Sequence, residues 1–122
     1  MVTVHPKSEK YVFIHGPENP DETWYYDFHH RRGVIVESGK VSNLDAMDIT
    51  APYTPGALRG GSHVHVFSPN GERVSFTYND HVMHELDPAL DLRTSVLLHR
   101  LARSTYKSSI RVNTAVATGA CW

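Results

Sequence analysis

Phe67–Tyr78, FSPNGERVSFTY, decides the fold. Pro69-Asn70-Gly71 is a strong turn, because proline presets φ and Asn-Gly accepts positive φ. After the turn, Val74, Phe76 and Tyr78 alternate strictly with Arg73, Ser75 and Thr77. A period of two is that of a β-strand with one apolar face. The segment therefore reads as strand, turn, strand.

Working outward, Val4–His15, VHPKSEKYVFIH, aligns with this segment without a gap at an offset of 63. Pro6 falls on Pro69, Glu9 on Glu72, Phe13 on Phe76, and Lys10 on the like-charged Arg73. Each unit continues in the same way. In the first, the polar stretch from Pro17 to Glu22 leads to Trp24-Tyr25-Tyr26-Asp27-Phe28, read as a strand. A short turn from His29 to Gly33 and the apolar Val34-Ile35-Val36 follow. In the second, Asn79-Asp80 leads to His81–Asp87, also read as a strand. Four short antiparallel strands per unit, repeated, is the plan of a β-propeller blade. A blade takes roughly 40–45 residues, so the offset leaves an insertion of about 20 residues. Ser38–Gly61, rich in proline and glycine and without periodicity, fits it as a long loop.

These residues resemble the TolB-like propeller family. Its repeats run apolar-S-P-D-G-x-x-apolar-x-F and later apolar-Y-x-apolar-D-L, and FSPNGERVSFTYND followed by HVMHELD is similar to that pattern. The resemblance covers Val2 to Arg93. It implies an all-β fold: a partial TolB-like propeller of about two four-stranded blades. The first blade spans about 2–37, the loop 38–61 and the second blade about 62–93, with a non-propeller tail over 94–122. The resemblance does not assign a function, because propellers host many unrelated activities.

The tail differs in charge. All thirteen acidic residues lie between Glu9 and Asp91, so residues up to Arg93 carry −5 against +4 beyond. Thr94–Ala102 presents part of a helical apolar stripe through Val96, Leu97, Leu98, Leu101 and Ala102. Back-translated and read one base earlier, Ser109–Trp122 yields HPREYSGSHWCVL under one permitted codon choice. Its SGSHWCVL resembles Gly60–Phe67, GGSHVHVF. The expectation is a tail that arose by frameshift. Two open blades are also expected to be marginally stable and to self-associate through their edges.

Composition bounds the partners. A net charge of −1 over 122 residues argues against a nucleic-acid binder. No apolar run is long enough to span a bilayer. The opening MVTVHPKSEKYVF lacks the order of a secretory signal, so the expected compartment is the cytoplasm. The single cysteine, Cys121, excludes an intrachain disulfide.

Nine histidines carry the candidate chemistry. His63 and His65 stand two apart in a predicted strand, so both project from one face and can chelate a divalent metal such as manganese or zinc. The family resemblance implies that this strand opens a blade and lines the central channel. Some TolB-like propellers, the oligogalacturonate lyases, hold a histidine-rich metal centre there. Against this stands the plainer reading of two polar strand residues bonded to neighbouring carbonyls. Arg59 is a candidate for an anionic ligand, or a solvated loop arginine. His81 and His84 face opposite sides if their segment is a strand. His29-His30-Arg31-Arg32 reads as a solvated turn, and Trp24-Tyr25-Tyr26 as a core strand rather than a sugar platform. No nucleophile elbow, phosphate loop or dinucleotide fingerprint is present, and nothing marks Asp45 and Asp48 as a catalytic pair. Two functions follow. One is a non-enzymatic scaffold that binds a protein or small ligand. The other is a metal-dependent, polysaccharide lyase-like enzyme.

Overall fold

The computed structural model describes residues 1–99 and 115–117. They form two four-stranded antiparallel sheets, each ordered as its strands occur in the chain. The first contains β1 (Val2–Val4), β2 (Lys10–His15), β3 (Arg32–Glu37) and β4 (Lys40–Asn43). The second contains β5 (Gly60–Phe67), β6 (Arg73–Asp80), β7 (Thr94–His99) and β8 (Ala115–Ala117). A short helix, α1 (His81–Leu86), and a 3₁₀ turn, Pro88–Leu90, join β6 to β7.

The turn that decides the fold behaves as its residues dictate. Gly71 takes φ +78°, its N–H donates to the Ser68 carbonyl, and β5 pairs with β6 across it. In β6, Val74 and Phe76 are buried while Arg73 and Ser75 are exposed. The repeat offset also tracks the elements. Shifted by 63, β1 falls within β5, β2 within β6, and β3 overlaps β7.

Four segments depart from their expected form. Trp24–Phe28 is not a strand, because β2 pairs directly with β3 and leaves 16–31 as a connection. The fourth strand of the first sheet is β4, which lies inside the stretch expected as loop. His81–Leu86 is a helix, started by the Asp80 carboxylate accepting the Met83 N–H at 3.0 Å. Thr94–His99, part of the stretch whose apolar stripe could pass as a short helix, is a strand paired with β6 from Arg73↔His99 to Tyr78↔Thr94. Its apolar run fits either period, and pairing decides: Val96 and Leu98 turn into the core while Ser95 stays exposed. Arg100 and Leu101–Ala102 of that expectation lie outside the described residues.

β5 is the strand of the second sheet that lies against β1, β2 and β3 of the first. Val12, Leu44, Leu58, Val74, Phe76, Val96 and Leu98 form one continuous buried cluster. Burial of this size is the main favourable term holding such sheets together. The start of β5 is closely packed, by its own sheet at Gly60 and across the seam at Gly61. A Cβ on Gly60 would lie 2.2 Å from the Asn79 carbonyl oxygen, and one on Gly61 would lie 2.2 Å from that of Phe28. Only residues without a side chain allow these backbones to approach so closely.

Because each sheet is a simple meander, alternate connections emerge at opposite ends. Residues 5–9, 38–39 and 68–72 close one end with short turns. Residues 16–31, 44–59 and 81–93 are all long and all leave from the other end. No helix among the described residues is long and apolar enough to cross a membrane.

Candidate functional site

The long connections bring most of the histidines together at one end of the seam. From the first sheet come His29 and His30; from the second come His81 and His84 on α1, and His63 on β5. Trp24 stacks on His30 with ring centroids 3.6 Å apart, and His81 meets Trp24 edge-on at 5.2 Å. His29 and His84 stack at 4.1 Å.

Asp91 anchors the group. Its Oδ2 lies 2.9 Å from His29 Nε2 and 3.6 Å from His84 Nδ1. Its Oδ1 accepts a hydrogen bond from Asn79 Nδ2 at 2.7 Å, and Asn79 Oδ1 in turn accepts from Arg93 Nε at 3.2 Å. Burial pushes the Asp91 carboxyl up, but the Asn79 bond and His29 outweigh it and hold the group below the usual carboxylate value. On the far side of His29, Asp27 Oδ1 stands 3.4 Å from Nδ1 and accepts the His29 backbone N–H at 3.0 Å. Among the described residues, His29, His84 and Asp91 are the one set of three metal-ligating side chains whose ligand atoms lie within 4.8 Å of one another.

His63 and His65 are both buried, but in different surroundings. His63 stacks on Phe28 at 4.5 Å, whereas His65 tilts against Phe76 at 5.0 Å. A β-bulge separates the two, and Val64 between them takes φ +54°. The accessible positions of this part of β5 are Val64 and Val66. His63 Nε2 and both ring nitrogens of His65 have no hydrogen-bond partner. Burial, with Arg93 and Arg31 adding to it, drives His63 down to about 4. Burial, and then His63, does the same for His65. Both rings are therefore neutral at pH 7.

Arg59 is engaged within the chain. Its Nε and Nη2 donate to Asp80 Oδ2 at 3.0 and 2.7 Å, and its backbone N–H donates to the Tyr78 hydroxyl at 2.8 Å. This fastens the 44–59 connection to the start of α1. Asp48 likewise ties its own loop, accepting from the N–H and the hydroxyl of Thr54 at 2.9 and 2.7 Å. Asp45 is different. It borders a cleft of roughly 780 Å³ shared with Arg32, His15 and Thr54. Burial raises its carboxyl to about 6 against the opposing pull of Arg32.

The His29–His84–Asp91 group was not visible in the sequence, because it depends on His84 lying on a helix. The signal was Asp80, a good helix N-cap, placed three residues before Met83. Nothing in the spacing of residues 29 and 91 foretells their pairing.

Comparison with known proteins places these observations in a lineage without assigning a role. The family described as "Protein of unknown function (DUF3748)" matches residues 1–113. The chain is 95% identical over 93 residues to "Uncharacterized protein YidR" of Escherichia coli strain K12. That match takes in 76% of this chain but only 22% of the relative, so the chain spans about a fifth of the relative's length. No solved structure matches.

Proposed function

Since the chain belongs to the DUF3748 family of proteins of unknown function, we propose that its two sheets are consecutive blades of a TolB-like propeller. The loop end of that propeller is a binding face for a protein or small ligand. The observation that carries this reading is the sorting of the connections among the described residues, with the long 16–31, 44–59 and 81–93 at one end and the short 5–9, 38–39 and 68–72 at the other. Function concentrates on loops held by a rigid scaffold. The stacking of units supports the propeller part. Three hydrogen bonds across the seam join residues about one repeat apart: Thr3 Oγ1 to the His65 carbonyl at 2.6 Å, His5 Nε2 to the Gly71 carbonyl at 3.1 Å, and His29 to Asp91. In stacked repeats each unit contacts its neighbour at matching positions.

The test uses the full-length relative in affinity capture, with substitutions at positions equivalent to those here. Changing Tyr25 and Tyr26 to serine at the loop end should abolish capture, and changing Lys7 and Asn70 to serine at the turn end should not. Loss with the second pair alone would sink the reading.

A metal-dependent, polysaccharide lyase-like activity is the second reading. It is favoured by the unpartnered ring nitrogens of His63 and His65. Arg59 would serve it indirectly, since its guanidinium is held by Asp80. Stoichiometric manganese or zinc that disappears when both histidines are replaced by glutamine would support it. Retention of the metal in that double variant would count against it.

A further inference from the structure

We infer that His29, His84 and Asp91 form a binding site for a first-row divalent cation, zinc foremost, which bridges the two sheets at the loop end of the seam. The inference stands on these residues and does not depend on closure of a propeller ring.

The donor set is the first reason. Two imidazoles and one carboxylate suit zinc and its neighbours, which bind such ligands at about 2.0–2.2 Å. Ligand atoms around such an ion lie about 3.0–3.5 Å apart. The two edges that run to Asp91 Oδ2, 2.9 Å from His29 Nε2 and 3.6 Å from His84 Nδ1, bracket that range. The His29 and His84 rings stack with planes 24° apart, so binding also requires one ring to turn about its side-chain torsions until both nitrogens point at the ion.

The surroundings are the second reason. A metal-bound histidine commonly gives its other ring N–H to a carboxylate, and a metal-bound carboxylate is itself hydrogen-bonded. Asp27 stands at His29 Nδ1, and Asn79 holds Asp91 Oδ1, itself held by Arg93. Both supporting groups thus stand beside the ligand atoms. His84 Nδ1 supplies a third observation: it is buried and has no hydrogen-bond partner, being too far from Asp91 Oδ2 for a good bond. A bound cation would satisfy it. The His84 side chain is 34% exposed, so solvent can reach the remaining coordination positions.

The alternative is an ion pair that merely latches the 81–93 connection to the first sheet. Metal titration separates the two. The full chain is stripped with chelator, dialysed and titrated with ZnCl2 and, separately, with MnCl2. Bound metal is measured after gel filtration, and folding is followed by circular dichroism. One equivalent of at least one ion should bind and raise the melting temperature. Asp91→Asn and His84→Gln should each weaken binding by about tenfold or more, and Asp27→Asn by about tenfold. His15→Gln, which removes an exposed histidine outside the set, should change nothing. Failure of both ions to bind at one equivalent overturns the site. So does binding that survives Asp91→Asn and His84→Gln, or that is lost only when His63 and His65 are replaced. His84 is surface-accessible, so His84→Gln should keep the native spectrum and keep the test decisive should Asp91→Asn unfold.

Discussion

The His65 imidazole lies directly across Gly33, so a Cβ built on that glycine would come 2.6 Å from Nε2. Gly33 sits in β3 opposite Ile14, and His65 is only 2% exposed, so neither can yield freely. Gly33→Ala should therefore destabilise the chain by about 1–3 kcal/mol in urea unfolding, as overpacking does. The same change in a His65→Ala background should cost less, and an equal cost in both backgrounds would show that the ring is not the obstacle.

Stability should fall in acid because two imidazoles are buried in the neutral form. The folded value of His65, about 4, lies below its ordinary 6.5. Its contribution is thus complete above 6.5 and lost progressively as pH falls towards 4. His65→Leu should flatten this limb by on the order of 2–3 kcal/mol. Urea midpoints across that interval provide the check; an unchanged slope would refute the assignment.

Asp45 acts in the opposite sense. Its folded value of about 6 exceeds the ordinary 3.8, so its stabilising contribution is full below 3.8 and is lost as pH rises through 6. Asp45→Asn should raise stability at pH 8 relative to pH 5, by on the order of 1–3 kcal/mol. Ser62 Oγ, which donates to Asp45 Oδ2 at 3.2 Å, can still donate to the asparagine oxygen. A variant that loses stability equally at both values would show that the ionised form is not disfavoured.

Val64 holds φ +54°, a conformation β-branched residues avoid, and its side chain is half exposed. Val64→Asn should therefore stabilise by about 1 kcal/mol, since asparagine enters this region more readily. Thermal melts of the two proteins decide it, and a lower melting temperature for the variant would mean that the valine makes contacts worth more than the strain.

β4 forms one edge of the first sheet; all four of its residues are exposed, and Val41 is 67% exposed. Unpaired strand edges invite a second copy. Sedimentation over a dilution series should show concentration-dependent association of the chain, reduced by Val41→Lys. A monomer at every concentration would rule out this edge as a contact.

The strand–turn–strand units were legible because alternation and turn chemistry are local. Pro69-Asn70-Gly71 and the Val74, Phe76 pattern lie within a few residues of each other and act without help. The apolar run at Val96–Leu98 was not decidable alone, since pairing with β6 selects strand over helix. Trp24–Tyr26 looked like a strand by composition, yet the Trp24 ring finds its partner in His30. The candidate site was hidden for a stronger reason. His29 and Asp91 meet only after the two sheets have docked, and docking depends on what Gly61 lacks.

That separation bears on how the molecule assembles. Every strand pairs with its immediate neighbour in the chain, so each sheet can zip up through contacts of short range. The seam bonds Thr3 to His65, His5 to Gly71 and His29 to Asp91 join residues 62 to 66 positions apart, and their formation must await closure of the intervening loop. The metal-ligating set therefore comes into being late in folding. A cation present during refolding would act on the docking step and leave the earlier zippering of each sheet untouched.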